Sequence, residues 1–219
     1  MGVAALDAWP LEDLVTGHRR ETHLACNWKI FWENYSECLH CPGIHPGLSA
    51  LVPLYARGVM AGNEAPDWEP GMPAGTALRD GAQTWTVSDR PCGPEFPGLS
   101  DAQRAAGMHF VTIWPTMFVC AHVDYARVIT VVPDGPERTR LVAEWLFPAA
   151  TLDAPGFDLA DVVEFAATVL REDGEACEMN QRGLRSDAYR AGRLMPQEYE
   201  IHRFHQWLRA RLPTEGAAP

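Results

Sequence analysis

Much is absent from this chain, and each absence excludes a class of function. No apolar run approaches the ~18–20 residues that a membrane-spanning helix needs. No basic stripe interrupts a balance of 18 basic against 29 acidic residues, a formal charge of −11, so neither nucleic acid nor an anionic membrane surface is an expected partner. The opening residues carry Asp7, Glu12 and Asp13 in place of the basic start of a secretory signal. Leu6 stands where a myristoylation motif needs Ser or Thr, and a cytoplasmic protein is expected. There is no internal repeat and no low-complexity linker. Cysteine is present six times, and without a secretory signal reduced thiols are expected. The one CxxC, Cys38–Cys41, has no second pair to complete a four-thiolate zinc site. It also falls at the far end of a predicted helix, not at a helix start where the dipole lowers a thiol pKa. Cys38, Cys41 and Cys177 therefore read as small buried packing residues.

What is present suits a globular fold. At 47% hydrophobic and 21% charged, 219 residues supply ample core for one domain. Residues 1–18 read as a lead-in and residues 19–219 as a single domain. Arg19–Cys26 is a candidate strand. The segment after it is helical, with Trp28, Phe31, Trp32, Tyr35 and Leu39 on one face, and should end near Cys41 because Pro42-Gly43 follows. Five β-rich runs come next: Thr84–Asp89, Met108–Pro115, Met117–Val123, Tyr125–Val132 and Thr139–Phe147, with Pro133–Glu137 as a hairpin signal. Residues 61–82, rich in Gly and Pro, read as a long loop. A long helix is expected over Leu159–Leu184, its stripe made by Val162, Ala166, Val169, Asp173, Cys177 and Asn180, and a shorter one over Glu198–Leu212. This order predicts an α+β fold, a curved antiparallel sheet with the long helix laid across it.

Chemistry concentrates in "NYSECLHCPGIHP", Asn34–Pro46. Glu37 and His40 are neighbours at i, i+3. His45 would point roughly 140° away from His40 on a continuous helix, but the Cys-Pro-Gly break lets the chain turn back. Asp173 sits on the apolar stripe of the long helix, where an ionised carboxylate needs compensation. A divalent cation held also by two imidazoles would provide it, and two His with one carboxylate is the ligand set of non-haem Fe(II) oxygenases. Two other readings use the same residues. Asp173 has Arg171 and Arg182 as alternative partners, and a zinc hydrolase would employ the same ligands with Glu37 as base. His202 and His205 read as surface or packing residues.

The motifs extend further than spacing. "NWKIFWENYSECLHCPGIHP" resembles the iron-binding helix in the catalytic domain of Rieske-type non-haem iron oxygenase α subunits, the aromatic ring-hydroxylating dioxygenase family. "EDGEACEMNQRGLRSDAY" resembles that family's second signature, and "GRLMPQEYEIHRFHQWL" extends the likeness to nearly the whole chain. The resemblance implies a helix-grip (START-like) fold, with His40, His45 and Asp173 as ligands of a mononuclear Fe(II). It implies that Glu37 is the acid linking a Rieske cluster to the iron site. Asn34 matches an Asn near the iron in some members. Glu at position 37 is closer to the choline and carnitine monooxygenase branch than to the ring-hydroxylating dioxygenases, which usually carry Asp there.

A Rieske centre needs Cys-x-His followed by Cys-x2-His, and no Cys-x2-His occurs in the chain. The [2Fe–2S] cluster is therefore expected from another chain or a missing domain. The resemblance implies O2 and a small organic substrate, aromatic or quaternary-ammonium-like, as reactants. It implies a Rieske-domain protein and an NAD(P)H-dependent reductase as electron donors. Members with a Rieske domain commonly form trimers, so a homotrimer is among the assemblies implied. A non-catalytic helix-grip domain that binds small ligands is the other alternative. Pocket walls are expected from the inner face of the sheet and the loop at 61–82, with Trp85, Phe110 and Trp114 as a conceivable aromatic cage.

Overall fold

The computed structural model describes residues 6–67, 69–70 and 75–212. In chain order, β1 is Leu14–Leu24, α1 Trp28–Tyr35, α2 Cys41–Ile44, α3 Pro46–Leu51 and α4 Asp101–Ala106. Then come β2 Met108–Ile113, β3 Met117–His122, β4 Ala126–Pro133, β5 Thr139–Pro148, α5 Ala149–Leu152, α6 Leu159–Leu184 and α7 Tyr199–Arg209. The strands form one antiparallel sheet in the order β1-β5-β4-β3-β2. This is the α+β order expected. Among the described residues, no helix is long and apolar enough to cross a membrane.

Alternation along each strand sends two sets of side chains to two cores. On the helix side, Phe118, Ile129, Val131, Leu141, Ala143, Trp145 and Phe147 pack with Phe31 and Trp32 of α1 and with Val162, Ala166 and Cys177 of α6. On the other side of β2 and β3, Val111, Val119 and Ala121 pack under Leu6, Trp9, Phe96 and Leu99. Trp9 Nε1–H donates to the His122 carbonyl at 2.7 Å. β1 accordingly begins at Leu14, not at Arg19, and part of the expected lead-in lies against the sheet.

α6 starts where Asp158 accepts from the amides of Ala160 and Asp161, and it covers the expected span Leu159–Leu184. Its buried positions include Val162, Ala166 and Cys177, but Asn180 faces solvent and Gln181 takes the inner place. Gln181 Oε1 accepts from the Asn27 amide at 2.8 Å, and Glu178 from the Ala25 amide at 2.8 Å. These bonds fix the turn from β1 into α1 against α6. A Cβ at Gly174 would sit 2.7 Å from Leu24 Cδ2, so a larger residue beside Asp173 would have to displace that leucine side chain.

Two expectations change. The first helix ends at Tyr35, well before Cys41: Ser36 caps it, its amide and hydroxyl both bonding to the Trp32 carbonyl. Leu39, placed on the buried face by a continuous helix, is exposed. Thr84–Asp89 is not a strand. Its polar groups turn elsewhere: Thr84 Oγ1 donates to Asp124 at 2.9 Å, the Val87 amide to the Asp161 carbonyl at 2.9 Å and the Ser88 amide to Asp161 Oδ1 at 2.7 Å. A segment bonded to side chains and to the start of α6 has no ladder left to join.

Candidate metal centre

The turn between α1 and α3 brings the two histidines together. After Ser36, Glu37 folds back and accepts from the amides of Leu39 and His40, so the chain makes a tight bend where a continuous helix was expected. α2 then carries the chain through Pro42-Gly43 to His45, buried at the start of α3. His40 Nε2 and His45 Nε2 lie 3.2 Å apart. Asp173, from the middle of α6, completes a triangle: its Oδ1 is 3.0 Å from His45 Nε2 and 3.5 Å from His40 Nε2.

Each member of the triangle is held from behind. His40 Nδ1–H donates to Glu37 Oε1 at 2.6 Å and His45 Nδ1–H to Glu172 Oε2 at 2.8 Å. Asn34 Nδ2 donates to Asp173 Oδ1 at 2.7 Å. Carboxylates behind both imidazoles leave the two Nε2 atoms facing the centre, the arrangement that orients metal-ligating histidines. Around a divalent ion with bonds of about 2.1 Å, neighbouring donors lie about 3.0 Å apart in an octahedral set and about 3.4 Å apart in a tetrahedral one. The observed edges, 3.0, 3.2 and 3.5 Å, fit a single first-row metal ion.

Opposite charges are held together here without an ion as well. Burial works against both charged forms, yet bonds to Asp173 and Glu37 push His40 up to about 9. The two histidines in turn hold Asp173 down at about 2 against its burial. A metal entering the triangle would have to displace the protons that these bonds hold on the histidines. Arg171, a conceivable partner of Asp173, instead donates to Glu175 at 2.8 Å.

The cysteines depart from expectation. Cys38 and Cys41 form a disulfide, their Cα atoms 5.0 Å apart because the same tight bend places them across one turn. Cys41 Sγ comes within 3.8 Å of His40 Nε2, and His40, Cys41 and His45 group as donors, but a disulfide sulfur offers no thiolate. Cys26, Cys120 and Cys177 are buried free thiols, as expected of packing residues. His205 bonds to Glu33 at 2.7 Å and His202 is exposed, both away from the triangle.

The triangle faces a cavity of about 190 Å³, whose walls include Trp85, Phe110, Trp114 and Arg127. The first three were anticipated. The loop was not a good guide: among the described residues none from 61–82 lines the cavity, and Tyr55 and Met60 do so instead. Sequence reasoning missed Glu172 and Arg127. Glu172 precedes Asp173 directly, and two adjacent acids at a predicted ligand were its available signal.

The sheet and the helix crossing it form an α+β domain with a His-His-Asp triangle beside its cavity. Residues 11–214 match the ring hydroxylating alpha subunit (catalytic domain) family, and the chain belongs to that family. The chloroplastic choline monooxygenase of Beta vulgaris is 28% identical over 193 residues, covering 87% of this chain and 38% of the relative. The glycine betaine monooxygenase oxygenase subunit of Pseudomonas aeruginosa is 24% identical over 231 residues, covering 94% and 54%. Among solved structures, the quaternary ammonium Rieske monooxygenase CntA in complex with an inhibitor superposes with a TM-score of 0.63 at 26% identity, over 94% of this chain and 52% of that one. Naphthalene 1,2-dioxygenase from Rhodococcus, at 14% identity and a TM-score of 0.53, shares the fold. The chain spans about half, or less, of the length of these relatives.

Proposed function

We propose that this chain is the mononuclear-iron portion of a Rieske-type oxygenase, acting on a small organic substrate held in the aromatic cavity. The observation that carries the reading is the triangle of His40 Nε2, His45 Nε2 and Asp173 Oδ1 with edges of 3.0–3.5 Å, opening into that cavity. Fe(II) held there would supply reductive activation of O2 and oxygen insertion into the substrate.

The chain's own residues would do the rest. Glu37 and Glu172 hold each imidazole with Nε2 toward the centre, and Asn34 steadies the Asp173 carboxylate. Phe31, Tyr35, Phe110 and Phe118 line the cavity with rings that exclude water and grip an apolar substrate body. Glu37 is only partly buried and bonded to His40, which suits the contact point with a Rieske-domain electron donor, itself served by an NAD(P)H-dependent reductase. The quaternary ammonium substrates named for the relatives are the first class to try, with the aromatic walls as cation–π partners. A cytoplasmic location, the trimer and a single iron-binding catalytic domain belong to the same proposal, with β1 from Leu14 included in that domain.

The zinc-hydrolase reading is weakened by Glu37, whose two oxygens are engaged by His40 Nδ1 and the backbone. The deciding experiment is elemental analysis by mass spectrometry after anaerobic loading with Fe(II) or Zn(II) in competition. About one Fe(II) per chain, lost in His40→Ala and Asp173→Ala, is expected. Full-strength iron binding by either variant, or no metal uptake by the parent chain, overturns the reading.

A further inference from the structure

Arg127 lies on the inner face of β4, in register with Trp145 of β5 and Cys120 of β3, while its alternates Ile129 and Val131 fill the core. It is 4% exposed. Its Nη2 donates to Cys120 Sγ at 3.4 Å, and its Nε and Nη1 have no partner. Among the described residues it makes no ion pair. Burial pushes the Cys120 thiol up, so that neighbour is a neutral dipole and not a counter-ion.

Guanidinium does not lose its proton in proteins, so this is a full positive charge in a low-dielectric wall. A water molecule would meet its N–H groups but leave the charge uncompensated. The cavity repeats the pattern elsewhere. Trp85 Nε1 and Trp114 Nε1 are also buried without partners, and both residues line the same space as Arg127. Every unpartnered buried polar atom on this lining is a donor. The acids at the metal end, by contrast, are engaged by His40, His45 and Asn34. What the walls lack is an anionic acceptor with an apolar body.

Resting on the reading of this cavity as the substrate chamber, we propose that Arg127 is its carboxylate-binding residue and that the substrate is a small organic carboxylate. A planar carboxylate matches the guanidinium fork. The space is sufficient, since an apolar cavity of ~150 Å³ already holds benzene. Two sources share this chemistry, an aromatic acid and a betaine, and matched pairs separate them: benzoate against benzamide, and glycine betaine against choline.

Titration calorimetry on the whole chain, with metal content measured on the same samples, tests the proposal. In at least one pair the carboxylate should bind roughly tenfold or more tighter than its uncharged-tail analogue. Arg127→Met should erase that preference without weakening the analogue. Equal binding within both pairs, no carboxylate binding at millimolar concentration, or a preference that survives Arg127→Met would overturn it. If Arg127→Met does not fold, the parent chain's preference and its weakening in Arg127→Lys decide. Carboxylate preference without iron uptake leaves Arg127's role standing and removes the oxygenase reading; iron uptake without carboxylate preference does the reverse.

Discussion

Two polar clusters open into one cavity, and they are satisfied in opposite ways. At the metal end, Asp173 lies against Asn34, His40 and His45, and Glu37 and Glu172 each engage a histidine. At the sheet end, Arg127 has one weak thiol neighbour and two nitrogen atoms with none. A buried group whose partners are all protein can stay as it is until a metal displaces a proton from it. A buried charge without a protein partner is left uncompensated until an ion or a charged ligand meets it. On the proposed function the first cluster would hold a resident ion, and on the carboxylate proposal the second would hold a visitor.

The most severe way to break this contrast is to remove a corner of the triangle. His40→Ala or Asp173→Ala should weaken Fe(II) uptake by more than ~100-fold, beyond the usual cost of losing a supporting residue, read by elemental analysis after dialysis. Next in size is Glu172→Ala, which leaves all three donors but frees the His45 ring behind its Nδ1. It should weaken uptake by about 10- to 100-fold, as supporting carboxylates generally do. Uptake unchanged in Glu172→Ala would mean that burial alone holds His45.

The contrast also separates what was legible in the sequence from what was not. That His40, His45 and Asp173 come together could be read because close spacing of two histidines and an acid on an apolar stripe are properties of short segments, although Pro42-Gly43 lies inside α2 and the bend comes from Ser36 and Glu37. The span of α6 was legible for the same reason, given the stripe from Val162 to Cys177. The early end of α1 was hidden because Ser36 and Glu37, good helix-surface residues by pattern, cap backbone groups instead. Thr84–Asp89 has the β-branched pattern of a strand, but its bonds go to Asp124 and Asp161, far along the chain. Arg127 could not be found at all. In "YARVITVV" either face is apolar enough to be the inner one, and its significance lies in the partners it does not have.

Reversing the sign at the second cluster gives a smaller effect. In the ligand-free chain Arg127→Met should raise stability by about 2 kcal/mol, because an uncompensated buried charge is replaced by an apolar chain of similar length. The measurement is urea unfolding at constant metal content. Saturating carboxylate should stabilise the parent chain and not the variant, closing the gap. A loss of stability in Arg127→Met would instead make the guanidinium a structural element.

The smallest effect should come from Cys38 and Cys41, which flank His40 without adding to either cluster. Their disulfide spans only one turn, so it removes little freedom from the unfolded chain. The bend it closes is also held by Glu37 on the Leu39 and His40 amides and by Ser49 Oγ–H on the Cys41 carbonyl at 3.1 Å. Cys38→Ser with Cys41→Ser should therefore cost less than about 2 kcal/mol of unfolding free energy. Iron uptake should change less than in Glu172→Ala, since the bonds that aim His40 are carboxylate bonds and not sulfur bonds. Alkylation without reductant should label Cys26, Cys92, Cys120 and Cys177 once unfolded and spare this pair. If the double variant instead loses iron as completely as His40→Ala, the bend depends on the sulfur link, and the metal end is less self-sufficient than its hydrogen bonds imply.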